Sequence, residues 1–138
     1  MLICDMSIIH KHGKQTLDDM LLPLGLGWQE MSVMMLLEMK PDADLALISS
    51  LLQTDKGNVT RLINNMEKKD LIFWDICRED RRCKSISLTH SGADKLPAVH
   101  EAMAKWEAFC FQGFSEEQIK QYEDMNAQFI RNIMGGKQ

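Results

Sequence analysis

Asp55-Lys56-Gly57-Asn58-Val59-Thr60-Arg61-Leu62-Ile63-Asn64-Asn65-Met66-Glu67-Lys68 is the stretch on which the fold turns. Val59, Leu62, Ile63 and Met66 recur at helical spacing and form one inward stripe, with Thr54 a candidate N-cap. Gly57, Arg61, Asn64 and Lys68 fall on the opposite side, with Thr60, Asn58 and Asn65 along its margins. That outer side carries small side chains, amides and positive charge. A short helix is expected before it over Ala43 to Leu52, with Leu45, Ile48 and Leu52 on one face and Asp42 or Asp44 as its cap. Two short helices joined by a tight turn at Gln53, the second apolar behind and polar in front, make a helix-turn-helix.

After this pair the hydrophobic period changes from helical to alternating. Ile72, Trp74 and Ile76 alternate with Phe73 and Asp75, and Ile86 and Leu88 alternate with Ser85 and Ser87. Two strands flanking the polar connector Cys77 to Lys84 make a wing that carries Arg78, Arg81 and Arg82 outward, with Asp80 spaced to orient the Arg82 guanidinium. A major groove about 12 Å wide admits one helix. Lys56, Gly57, Asn58, Thr60, Arg61 and Asn64 are therefore the candidate groove-facing residues. Arginine pairs bidentately with guanine and asparagine with adenine, and a wing arginine suits the negative potential of a narrow minor groove. Double-stranded DNA is the expected partner.

The flanks are helical. Thr16 with Asp19 resembles a capping box opening a helix with Leu17, Met20, Leu21 and Leu24, and Pro23, Gly25 and Gly27 mark the turn that follows. Trp28 to Met39 is apolar around much of its circumference and is expected to be buried, its methionines serving as packing. Thr89 caps a further helix with Leu96, Val99, Met103, Trp106 and Cys110 inward, and Pro97 is expected to bend or break it. Ser115 and Gln118 form a capping box for a terminal helix bearing Ile119, Tyr122, Phe129 and Ile133. Trp106, Phe109, Phe111, Phe114, Tyr122 and Phe129 supply more aromatic surface than one small core needs, which makes a homodimer sensible.

The quoted helix and its sequel to Ile72, then Asp80-Arg81-Arg82, Leu88-Thr89 and Gly92, resemble the MarR family of winged-helix transcription regulators, and Leu21-Leu22-Pro23-Leu24-Gly25-Leu26 is similar to the family's stretch before its second helix. The resemblance implies a mainly helical chain with a small β-hairpin: one domain over 1–138, a winged helix-turn-helix lobe over 29–90, and dimerisation helices over 1–28 and 91–134. It implies a homodimeric repressor on a pseudo-palindromic duplex, with Lys56, Asn58, Thr60 and Arg61 in the major groove, Arg82 in the minor groove and Asp80 holding it. It also implies a small-molecule effector, with Trp28, Met31 and Met35 as the candidate pocket. Gln53 and Asp70 stand where the family commonly has glycine.

Composition bounds the alternatives. The 138 residues are 45% hydrophobic and 26% charged, which is ordinary for one globular domain. The net charge is -4, yet Thr54 to His90 carries eight Lys or Arg against six Asp or Glu, so a mildly basic segment sits in an acidic chain. No run is long and apolar enough to cross a bilayer, and a cytoplasmic protein without membrane association is expected. Cys4, Cys77, Cys83 and Cys110 lack paired zinc-site spacing, and no phosphate loop, metalloprotease helix or nucleophile elbow is present. Neither metal, cofactor nor enzymatic activity is expected. Two alternatives remain: redox control through Cys4, lying before the first helix, or through Cys77 and Cys83 at the wing, and a winged-helix module that binds protein instead of DNA.

Overall fold

The computed structural model describes residues 1–76 and 84–135. Helix α1 spans Leu2–Leu21, α2 Trp28–Met39, α3 Leu45–Leu52 and α4 Lys56–Lys68; strands β1 Ile72–Ile76 and β2 Lys84–Leu88 follow, then α5 His90–Cys110 and α6 Glu116–Ile133. The strands form one antiparallel pair in which Ile72 faces Leu88 and Trp74 faces Ile86. This is the mainly helical winged helix-turn-helix expected from the change of period after α4.

The chain forms two compact units, Met1–Ala104 and Lys105–Gln138. The first is built around Leu21 of α1, Val33 and Met34 of α2, Ile48 of α3, Val59, Ile63 and Met66 of α4, Ile72 and Ile86 of the hairpin and Val99 of α5, all buried. Every element supplies at least one side chain, each contributing roughly 1.5–3 kcal/mol on burial. In the second unit α6 opens with the expected capping box: Ser115 Oγ accepts from the Gln118 amide at 3.2 Å, and Gln118 Oε1 accepts from the Ser115 amide at 2.9 Å. Phe111 stacks edge-on against Phe114 and Tyr122, with centroids 5.7 and 5.5 Å away.

Several boundaries differ from the sequence expectation. Helix α1 begins at Leu2, so Thr16 lies inside it, where its hydroxyl donates to the His12 and Gly13 carbonyls instead of capping. Cys4 accordingly lies within α1, on exposed surface. Helix α3 begins at Leu45, and of the two candidate caps Asp44 is the one used, accepting from the Leu47 amide at 2.9 Å. Asp55, not Thr54, caps α4, because Thr54 is already committed to the end of α3 through its amide bond to the Ser49 carbonyl. Pro97 lies inside an unbroken α5.

Gln53 and Asp70, at the two positions where glycine was expected, both adopt left-handed backbone, with φ of 52° and 57°. Each ends a helix. After α4 the Leu71 amide reaches back to the Met66 carbonyl and the Asp70 amide to that of Glu67, the paired bonds of a Schellman motif. Asp tolerates this region better than most side chains, at some strain that glycine avoids. The hairpin therefore leaves α4 as a glycine would have allowed.

Candidate nucleic-acid interface

Helix α4 buries Val59, Ile63 and Met66 completely and half-buries Leu62, which fixes its rotation about its own axis. Lys56, Gly57, Asn58, Thr60, Arg61 and Asn64 consequently lie exposed together. All six candidate residues on the helix share the outward surface, and Lys68 extends it by a turn. Gly57 keeps the start of that surface low: a Cβ there would lie 3.3 Å from Asp55 Oδ1.

The first turn is held by a local network. Asp55 Oδ1 accepts from the Asn58 amide at 2.8 Å, while the Asn58 side-chain amide donates to Thr54 Oγ1 at 3.0 Å and to Asp55 Oδ2 at 3.3 Å. A carboxylate accepts only, so the nitrogen end of Asn58 must face Asp55. Asn64, by contrast, is exposed and has no side-chain hydrogen bond of this kind among the described residues, so it can present both donor and acceptor to a base edge.

Two open hollows adjoin this face. One, of about 700 Å³, lies at the helix-turn-helix corner between Ser49, Ser50, Gln53, Thr54 and Asp55. The other, of about 380 Å³, separates the start of α2 from α4 and is lined by Gln29, Thr54, Asn58, Arg61, Leu62 and Asn65. Gln29 was not anticipated from the sequence, because it sits in a helix whose composition signals burial. Its position at the first turn of α2 is what leaves its amide at the surface of the hollow.

At the far end of α4, Thr89 joins three elements. Its hydroxyl donates to the Asp70 carbonyl at 2.5 Å and accepts from the Gly92 amide at 2.9 Å, so the residue caps α5 as expected while holding the exit of α4. Its amide donates to the Leu71 carbonyl at 3.0 Å. The wing residues Arg78, Asp80, Arg81 and Arg82, with Cys77 and Cys83, lie outside the described residues.

The model of the MarR family matches residues 26–84, the segment from the turn before α2 to the start of β2. Over this segment the chain is similar to the MarR family. The matched segment contains the whole of α4 with its exposed face. Among solved structures the chain is similar to the S. aureus MepR–DNA complex, at 22% identity and TM-score 0.86 over 96% of this chain and 98% of that one. It is also similar to a mutant MarR from E. coli complexed with operator DNA, at 16% identity and TM-score 0.84 over 93% and 92% of the two chains. A MarR transcriptional regulator from Methanosarcina mazei Go1 matches at 19% identity and TM-score 0.82, over 97% and 99%.

The other candidate sites are placed as follows. Met31 is a core residue, whereas Trp28 and Met35 are half-buried, and the Lys14 ammonium lies 4.2 Å from the Trp28 ring centroid. Cys110 is exposed beside Glu107; its partial burial and the neighbouring carboxylate push the thiol above its ordinary range. Among the described residues no cluster of three or more histidine, cysteine or carboxylate side chains is arranged to hold a metal ion. No single helix among them is long and apolar enough to cross a membrane; Leu2–Leu24 with Trp28–Met39 reaches the required hydropathy only jointly, around a 74° bend.

Proposed function

We propose that the chain acts as a homodimeric repressor that places one α4 in each half-site of a pseudo-palindromic duplex and responds to a small-molecule effector. The reading is carried by one observation: the outward side of α4 brings Lys56, Gly57, Asn58, Thr60, Arg61 and Asn64 into one exposed surface backed by a rigid core. Arg61 and Asn64 bring the donors that base edges require, and Lys56 and Lys68 the charge that phosphates attract. On the wing, Arg78, Arg81 and Arg82 add cationic contacts, with Arg82 in the minor groove and Asp80 as its brace.

Support for the dimer comes from apolar surface. On α6, Tyr122, Met125, Phe129 and Ile133 follow one another at helical spacing and are 40%, 65%, 37% and 61% exposed. On α1, Leu2, Met6 and Ile9 make a second exposed apolar row. Rows of this length are covered in a working protein, and a second copy of the chain is the cover proposed here. The effector site is assigned to Trp28, Met31 and Met35, where an aromatic ring and thioethers adjoin the turn that carries α2. A ligand there acts by favouring one spacing of the two lobes over another.

The test is selection from a random duplex library at controlled salt, followed by titration of the selected duplex with wild type, Arg61→Ala and Arg82→Ala, and by a mass measurement of the complex. A symmetric site, two chains per duplex and weakened binding by both variants are expected. Unchanged affinity in both variants would refute the assigned surface, and one chain per duplex would refute the dimer.

A further inference from the structure

We propose that Lys69 is a positioning residue for DNA reading: its ammonium ties the exit of α4 to the turn before α2 and so sets how the recognition helix is presented, without itself meeting DNA. This rests on the DNA-binding reading above. By charge alone Lys69 belongs with Lys68 in the basic segment, and the geometry separates the two neighbours.

An ammonium has three donors and no acceptor. For Lys69 all three find oxygen: the Gly25 carbonyl at 2.9 Å, Glu30 Oε1 at 3.0 Å and Glu30 Oε2 at 2.8 Å. Glu30 is only 12% exposed, so its charge is largely withdrawn from water, while the Lys69 side chain is 47% exposed. Turning Lys69 toward a phosphate would leave that sheltered carboxylate without its cation, which opposes the motion. Lys68 is exposed on the outward side of α4, with no such partner among the described residues.

The anchor point is itself held from other directions. Glu30 Oε1 also accepts from the Gly27 amide at 3.0 Å. Gly27 is the N-cap of α2 and has no side chain to cap with; Asp18 of α1 supplies the missing carboxylate, Oδ1 accepting from the Trp28 amide at 2.7 Å. From α5, Lys95 Nζ donates to the Leu24 carbonyl at 3.3 Å. The turn at 24–28 is thus gripped by α1 and α5, and Lys69 is the side chain through which α4 is fastened to it. The sequence separation of 39 positions from Glu30 hides this pairing from any local pattern.

The experiment measures binding of the selected duplex by the full chain across a salt series, for wild type, Lys68→Gln, Lys69→Gln, Lys69→Arg, Glu30→Gln and the double variant Glu30→Gln/Lys69→Gln. Lys68→Gln is expected to reduce the magnitude of the slope of log K against log salt by about one. Lys69→Gln is expected to weaken binding about tenfold, the scale of one charge-assisted hydrogen bond, with the slope unchanged. Lys69→Arg recovers most of that loss, and the double variant binds no worse than Lys69→Gln, because both remove one linkage. A reduced slope for Lys69→Gln makes it a phosphate contact and overturns the proposal, as does binding equal to wild type. If Lys69→Gln does not fold, Glu30→Gln and Lys69→Arg decide: wild-type affinity in Glu30→Gln, or a lowered slope in Lys69→Arg, overturns it. Wild type without any duplex preference refutes the DNA-binding reading and the proposal with it, an outcome distinct from wild type that binds alongside an indifferent Lys69→Gln.

Discussion

Replacing Gly92 by alanine adds a single methyl group at a glycine packed directly against backbone. A Cβ there would lie 2.1 Å from the Leu71 carbonyl oxygen, 3.0 Å from its carbon and 3.2 Å from its Cα. The first distance is more than about 1 Å short of van der Waals contact, and the obstacle is backbone, which cannot rotate away. Helix propensity argues the other way, since alanine improves on glycine inside a helix by up to about 1 kcal/mol. Against it stand an overpacking penalty of about 1–3 kcal/mol and the loosening of two bonds at the same junction, from the Thr89 amide to Leu71 and from the Thr89 hydroxyl to Asp70. Those two bonds are worth about 1 kcal/mol each. The net expectation for Gly92→Ala is a loss of about 2–4 kcal/mol, read in urea unfolding followed by circular dichroism. In thermal melts at matched protein concentration this corresponds to a fall in Tm of roughly 6–15 °C. Because the junction connects the exit of α4 to the start of α5, duplex affinity falls as well. An unchanged or raised Tm would show that propensity outweighs the contact and would refute the close approach of α5 to Leu71.

Asp70→Gly relieves a left-handed backbone without touching a side-chain bond among the described residues and should stabilise by about 0.5–1 kcal/mol in urea unfolding. Gln53→Gly should gain less, because it also deletes the 2.7 Å bond from Gln53 Nε2 to the Ser50 carbonyl; equal gains at the two positions would contradict this account. Asp18→Ala removes the acceptor for the Trp28 amide and should cost about 0.5–2 kcal/mol, with Asp18→Asn retaining much of the stability in the same melts. In a variant keeping only Cys110, the alkylation rate should continue to climb with pH beyond the range where an ordinary cysteine levels off, since burial first and Glu107 second disfavour the thiolate. Glu107→Gln should move that midpoint down, and a midpoint that stays put would remove the carboxylate from the explanation.

What could be read from the residues was whatever depends on period. The stripe Val59, Leu62, Ile63 and Met66 announced both the existence of α4 and which side of it would face outward, and alternation over Ile72–Ile76 and Lys84–Leu88 announced the hairpin. Ser115 and Gln118 could be recognised as a cap because both partners lie within one turn. The start of α1 was not legible: its first half is exposed, so no buried stripe advertises it, and Met1 offers no side-chain cap. The shift of the α4 cap by one residue had a similar origin. Thr54 and Asp55 are both competent caps, and the choice is made by the end of the preceding helix. The contacts that fasten α4, from Lys69 to Glu30 and from Thr89 to Asp70, join residues far apart in the chain and belong to no local pattern.

The side-chain nitrogen of Asn58 donates to Thr54 Oγ1 and Asp55 Oδ2, which leaves the oxygen of that amide as the atom that can accept. A phosphate, itself without a proton to give, gains nothing from that atom. Whatever meets the first turn of α4 at this point has to bring its own hydrogen, as the exocyclic amino group of cytosine or adenine does, and finds an acceptor that cannot turn over without breaking the side-chain bonds to Thr54 and Asp55.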